Sequence, residues 1–109
     1  MSLYEAEFPD YDGEFHKPNG FFDNSYHNDM MPRVTRRFRH DINGTEIEVN
    51  IWQDYVDPDK RERDCLPRFT FSITVDTETV FELMSDDWKE IENMINHTST
   101  WIYGYTMED

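Results

Sequence analysis

The chain is short of cations, cysteine, glycine and long apolar runs, and each shortage excludes something. Ten Lys and Arg stand against 24 Asp and Glu, a formal net charge of −14 on 109 residues. Duplex nucleic acid is bound by Lys and Arg neutralising phosphates, so a surface this acidic repels it. The single cysteine, Cys65, excludes an intramolecular disulfide and favours a reducing compartment. Gly13, Gly20, Gly44 and Gly104 are isolated, which leaves no glycine-rich phosphate loop. The apolar runs are too short to span a membrane. The acidic N-terminus lacks a basic segment followed by an apolar one, so no secretory signal is expected and a cytoplasmic location is. The acceptor patterns Asn43-Gly44-Thr45 and Asn96-His97-Thr98 are then read as chance.

Trp, Tyr and Phe make up 16% of the residues, while all hydrophobic residues together reach only 37%. High charge with little hydrophobic mass would by itself indicate disorder. Aromatic side chains bury about 150–250 Å² each, which is enough to build a modest core or an interface. A single folded, strongly acidic domain is the expectation for this length.

Residues 1–31 differ from the rest. They hold Tyr4, Phe8, Tyr11, Phe15, Phe21, Phe22 and Tyr26, no Val or Ile, and a net charge of −6. Tyr4, Phe8, Tyr11 and Phe15 fall at helical spacing, but Pro9 and Gly13 interrupt that stretch. The segment reads as an irregular acidic-aromatic arm, either packed over the domain or ordered by a partner. Residues 32–109 form the α+β domain.

Asn43-Gly44 predicts a hairpin with a two-residue turn. That register sets Ile42 opposite Thr45, His40 opposite Ile47, Phe38 opposite Val49 and Arg36 opposite Ile51. One face gathers Val34, Phe38, Ile42, Ile47, Val49 and Ile51. The other sets Arg39 against Glu48, Arg37 against Asn50 and Thr35 against Trp52. A charged connection at 54–66 follows. Phe69, Phe71, Ile73 and Val75 alternate with polar residues and predict a third strand. A polar turn at Asp76–Thr79 leads to a fourth strand over Val80–Met84. Ser85 has the character of a helix N-cap, and the helix should run over 86–97 with Trp88, Ile91 and Ile95 as its buried stripe. Trp101–Tyr105 either adds a fifth strand or packs on the helix. The expected fold is therefore α+β: an antiparallel sheet of about four to five strands with one C-terminal helix packed on one face.

Residues that suggest chemistry have simpler roles available. Arg33–His40 resembles a basic nucleic-acid-binding run, but its arginines face the acidic partner strand, so direct nucleic-acid binding is not expected. His16, His27, Asp23 and Asp29 lack the spacing of a zinc site, and Asp57-Pro58-Asp59 lacks the glycine and closing glutamate of a calcium loop. No metal or cofactor is expected. Cys65 has basic neighbours but no orienting base. His40 and Asp41 leave opposite faces of a strand and do not form a dyad. No catalytic residue is assigned, and an enzyme is not expected.

The acidity itself remains. Fourteen net charges match about 24 Å of duplex axis. They are unevenly spread: residues 69–109 carry −8, residues 1–31 and 41–59 carry −6 each, and 33–39 and 60–68 add +4 and +2. The leading expectation is a non-enzymatic module that binds a basic protein surface. Its sharpest form is an inhibitor that mimics nucleic acid in the channel of a nucleic-acid-processing enzyme. In composition alone the chain resembles small acidic anti-restriction and anti-CRISPR proteins, and no motif identifies one such family. The expected partner contacts are Asp86, Asp87, Glu90 and Glu92 with Glu82, and then Tyr4, Phe8, Tyr11 and Phe15. Two other readings stay open: a subunit or adaptor of a larger assembly (homo-oligomers included) with incidental acidity, and a small-ligand or enzymatic domain using His40 or Cys65. If the three acidic segments share one side, the first reading gains; if they scatter, the charge merely solubilises.

Overall fold

The computed structural model describes residues 2–40, 44–63, 65–98 and 105–108. The chain runs α1 (Leu3–Glu7), β1 (Phe22–Asp23), β2 (Arg33–His40), β3 (Glu46–Gln53), β4 (Phe69–Val75), β5 (Glu78–Ser85), α2 (Trp88–Thr98) and β6 (Tyr105–Glu108). This is the expected α+β architecture. The strands form one antiparallel sheet in the order β1-β2-β3-β4-β5, with β6 also on β2.

Alternation in β3 and β4 puts branched and aromatic side chains on one face. Cross-strand rows result: Val34, Ile51, Phe71 and Leu83 in one, Arg36, Val49, Ile73 and Phe81 in the next. Helix α2 covers this face. Ile91 is fully buried among Phe21, Val34, Phe38, Phe69 and Phe71, and Trp88, Met94 and Ile95 pack at the margin. Burying one such aliphatic side chain contributes about 1.5–3 kcal/mol.

The hairpin differs from its expected register by two residues. Phe38 lies opposite Ile47, Arg36 opposite Val49, Arg37 opposite Glu48 and Arg39 opposite Glu46. His40 pairs with Tyr105 rather than Ile47. Ile42 lies outside the described residues. Asp41 and Asn43 also lie outside the described residues, and Gly44 is in the left-handed region at φ 71°. This register joins Arg37 Nε to Glu48 Oε2 at 2.9 Å and Arg39 Nη2 to Glu46 Oε1 at 2.6 Å. An even shift preserves the faces, so the expected core side survives.

A tight turn is formed by Asp76-Thr77. Both residues have positive φ, 47° and 74°, and Val75 pairs with Glu78 across them. Asp76 is held there by two bonds to the tip of β3: its N–H donates to the Glu46 carbonyl, and its Oδ1 accepts from the Glu46 N–H at 3.0 Å. The fourth strand therefore begins at Glu78, earlier than Val80.

Helix α2 starts at Trp88, and its cap is Asp87 rather than Ser85. Ser85 still belongs to β5, opposite Phe69, and its Oγ accepts the Asp87 N–H at 3.0 Å. That frees the Asp87 carboxylate to accept the Lys89 N–H at 2.9 Å. Of the aromatic tail, residues 101–104 lie outside the described set, and the strand present is Tyr105–Glu108.

Candidate acidic interface

The arm carries one short helix that the sequence did not suggest. Glu5 Oε1 accepts from the Ser2 N–H and hydroxyl, and the helix stops before Pro9. Beyond it, the arm is fastened by a side-chain amide. Gln53, fully buried at the end of β3, accepts the His16 N–H at 2.8 Å and donates Nε2 to the His16 carbonyl at 2.6 Å. The His16 ring stacks on Trp88 of α2, with centroids 4.1 Å apart and planes at 13°. Burial holds its imidazole below the ordinary histidine value, with Glu14 and Glu92 pulling the other way.

Arg68 ties three segments together. Its N–H donates to Asp86 Oδ1 at 2.9 Å, at the entrance to α2. Its Nε donates to the Asp54 carbonyl at 3.2 Å. Its Nη2 donates to the Tyr11 hydroxyl at 3.0 Å and the Glu14 carbonyl at 3.1 Å. The guanidinium passes so close to Gly13 that any Cβ there would overlap it. Nearby, Asp12 spans the arm and the connection by accepting the Val56 and Asp57 N–H groups at 2.8 and 2.9 Å. Desolvation opposes ionisation of Asp12, but those N–H donors hold it below the usual carboxylate range. Burial raises Asp54, with the Tyr55 N–H partly offsetting it. Tyr55 donates its hydroxyl to Asp10 Oδ1 at 2.8 Å, and burial followed by that carboxylate pushes its phenol well up.

The acids are thereby sorted. Asp10, Asp12 and Glu14 of the arm, Asp57 and Asp59 of the connection, and Asp86, Asp87 and Glu90 of the α2 entrance are all exposed and belong to segments joined at one end of the sheet. Glu92 is exposed beside Lys17 and Arg36. Glu82 is exposed but alternates with the inward-facing Leu83, so it lies on the face away from α2. Glu46 and Glu48 share that face and are paired with arginines. Burial would raise Glu48, but the bonds from Arg37 and Asn50 hold it low.

Among the expected aromatic contacts, Phe8 is only 6% exposed and has no surface to offer a partner. Tyr4 stacks on Phe15 at 4.1 Å and meets Tyr11 edge-on at 6.1 Å. These rings pack the arm against itself. The residues that sequence reasoning passed over are Arg68, Gln53 and Glu14. For Gln53 a signal existed, a polar side chain in phase with Ile47, Val49 and Ile51.

Arg33, Arg36, Arg37, Arg61 and Arg68 are partly buried, while Lys17, Arg39, Lys60, Arg63 and Lys89 are exposed. Arg33, Arg36, Arg37 and Arg68 lie over the rings of Trp52, Phe38, Phe22 and Phe69 at 4.6, 4.7, 5.2 and 4.6 Å. Arg61 donates to the carbonyls of Tyr55, Leu66 and Val56. Of His16, His27, Asp23 and Asp29, three have other partners. His16 is on Trp88, His27 bonds Glu7 at 2.8 Å, and Asp23 accepts the Tyr4 N–H at 2.8 Å. Among the described residues, no group of His, Cys, Asp and Glu is arranged to hold a metal ion, and no helix is long and apolar enough to cross a membrane. Comparison with known proteins finds no matching family model, no similar curated protein and no similar solved structure.

Proposed function

We propose that this chain is a non-enzymatic acidic module that binds a basic protein surface. One contrast carries the reading. Arg33, Arg36, Arg37, Arg39, Arg61 and Arg68 are spent on rings, carbonyls and neighbouring glutamates, while Asp86, Asp87, Glu90 and the arm's Asp10, Asp12 and Glu14 face solvent. Exposed charge of one sign steers association with a complementary surface.

The finer form of the reading is an inhibitor that mimics nucleic acid and blocks a partner enzyme, in the manner of anti-restriction or anti-CRISPR proteins. A magnitude limits how it would work. The molecule is 45 Å long, and a duplex of that length carries about 26 charges, about twice this chain's net excess of 14. Mimicry over the whole surface falls short. Mimicry by the end where arm, connection and α2 entrance meet requires fewer charges. Asp86 and Asp87 hold local structure there through Arg68 and Lys89, so they serve two purposes.

The test is inhibition of a panel of basic nucleases and polymerases by the intact chain and by the Glu14→Lys, Glu90→Lys, Glu92→Lys variant. None of these three side chains makes a hydrogen bond shown above, so the fold should hold. Inhibition should be relieved by excess duplex DNA, and the variant should bind about 100-fold more weakly or worse. Binding that DNA does not compete and the variant does not lose would overturn the reading.

A further inference from the structure

The two edges of the sheet are treated differently. The outer edge of β2 is covered end to end: β1 pairs at Val34 and Thr35, and β6 pairs from Arg37 to His40. The outer edge of β5 has no strand beside it among the described residues. β5 spans eight residues, and most of its side chains are exposed. An open edge presents unpaired N–H and C=O groups, and proteins usually blunt it with Lys, Pro or a short strand. β5 has neither Lys nor Pro, and its only irregularity is a bulge where Val80 interrupts the register.

A groove of about 330 Å³ opens beside this edge on the face away from α2, lined by Met30, Met31, Trp52, Leu66, Thr70 and Met84. Met84, Thr70 and Trp52 are neighbours across β5, β4 and β3. A strand added to β5 would therefore point every second side chain onto the groove's face, next to Met84. Met30 is 54% exposed and Met84 39%, and flexible thioethers adapt to the side chain they receive. The electrostatics select the occupant. β5 carries Glu78 and Glu82 and no cation, Asp29 borders the groove, and Asp86 and Asp87 follow directly.

The geometry points to strand addition at β5: an extended segment of a basic protein, with its apolar side chains turned to the methionine groove and its Lys or Arg on the opposite face, where Glu78 lies. This rests on the basic-partner reading and gives that partner a second, directional contact. A second copy of this chain fits less well, because it brings a net −14 of its own and sets glutamates near glutamates.

The experiment uses the full chain, isotope-labelled, and three synthetic peptides of about eight residues. One alternates Lys or Arg with Val, Leu and Phe, one replaces its cations with Glu, and one is the basic peptide N-methylated at alternate residues. The basic peptide should shift the amides of 78–85 and the Trp52 indole, and should slow exchange of the outward β5 amides. The acidic peptide should not bind, and N-methylation or Met84→Glu should weaken binding about tenfold or more. N-methylation leaves the protein untouched, so this arm does not depend on a variant folding. Shifts confined to α2 and the arm would overturn the edge site while leaving the basic-partner reading intact. Failure of both the basic peptide and the enzyme panel would end both. Concentration-dependent protection of β5 with doubled mass and no peptide would make the occupant a second copy and also overturn the inference.

Discussion

Arginine is used in two ways in this molecule. In the β2–β3 hairpin, Arg37 and Arg39 each face a glutamate, so the charges cancel and the region is close to neutral. At the arm end, the Arg68 side chain faces carbonyls and a hydroxyl, and Arg61 faces carbonyls alone. There the cation holds segments together without pairing a carboxylate with its guanidinium, and Asp86, bonded by the Arg68 backbone N–H, remains exposed. The lesson is that net charge by segment does not predict surface charge. What the arginine donates to decides that.

The sharpest way to break this contrast is to remove the organising cation. Arg68→Ala should destabilise the chain by about 2–4 kcal/mol in urea unfolding, because several charge-assisted bonds to part-buried acceptors are lost together. Gly13→Val should act in the same direction by displacing the guanidinium. A cost near that of an ordinary surface substitution would mean that Arg68 organises nothing. The hairpin pair should matter less. Side chains of Arg37 and Glu48 are 43% and 31% exposed, so a double-mutant cycle should give a coupling of about 0.2–1 kcal/mol, falling with salt.

Much of the covered face could be read in advance. Phe69–Val75 alternates without a break, and Ile91 with Trp88 and Ile95 has helical spacing, so burial followed from pattern. The hairpin's faces were legible, but its register was not. A turn centred on Asn43-Gly44 implies one register, yet the register two residues away pairs Arg37 and Arg39 directly with glutamates, and periodicity cannot distinguish the two. β1 is too short to have a pattern and exists because β2 offers it an edge. At the candidate site, Asp86, Asp87 and Glu90 were visible as exposed acids, and Phe8 was misjudged because aromatic spacing does not separate a packed ring from an anchor. Arg68 was hidden for a plainer reason: a sequence shows that a cation is present but not what it donates to.

The finest distinction concerns pH. Burial against Trp88 depresses the His16 imidazole, so the unfolded chain takes up that proton more readily than the folded one. The stability His16 supplies is whole above about pH 6.5 and is lost as pH falls through its lower folded value. His16→Phe keeps the stack and removes the proton, so its stability should stay flat where the parent chain's begins to decline. Asp12 and Glu48, both held low, add a further loss at more acidic pH, while Asp54, raised by burial, works against it. A parent chain whose stability does not change between about pH 7 and 5 would show that His16 is not buried as described.

The central claim is that carboxylates released from internal pairing at the arm end are what a basic partner meets. Titration calorimetry of the intact chain against an inhibited enzyme, from about 50 to 500 mM salt, tests it most directly. The account expects affinity to fall steeply with salt, and the fall to be much shallower for the Glu14→Lys, Glu90→Lys, Glu92→Lys variant. An affinity independent of salt, equal in parent and variant, would contradict it.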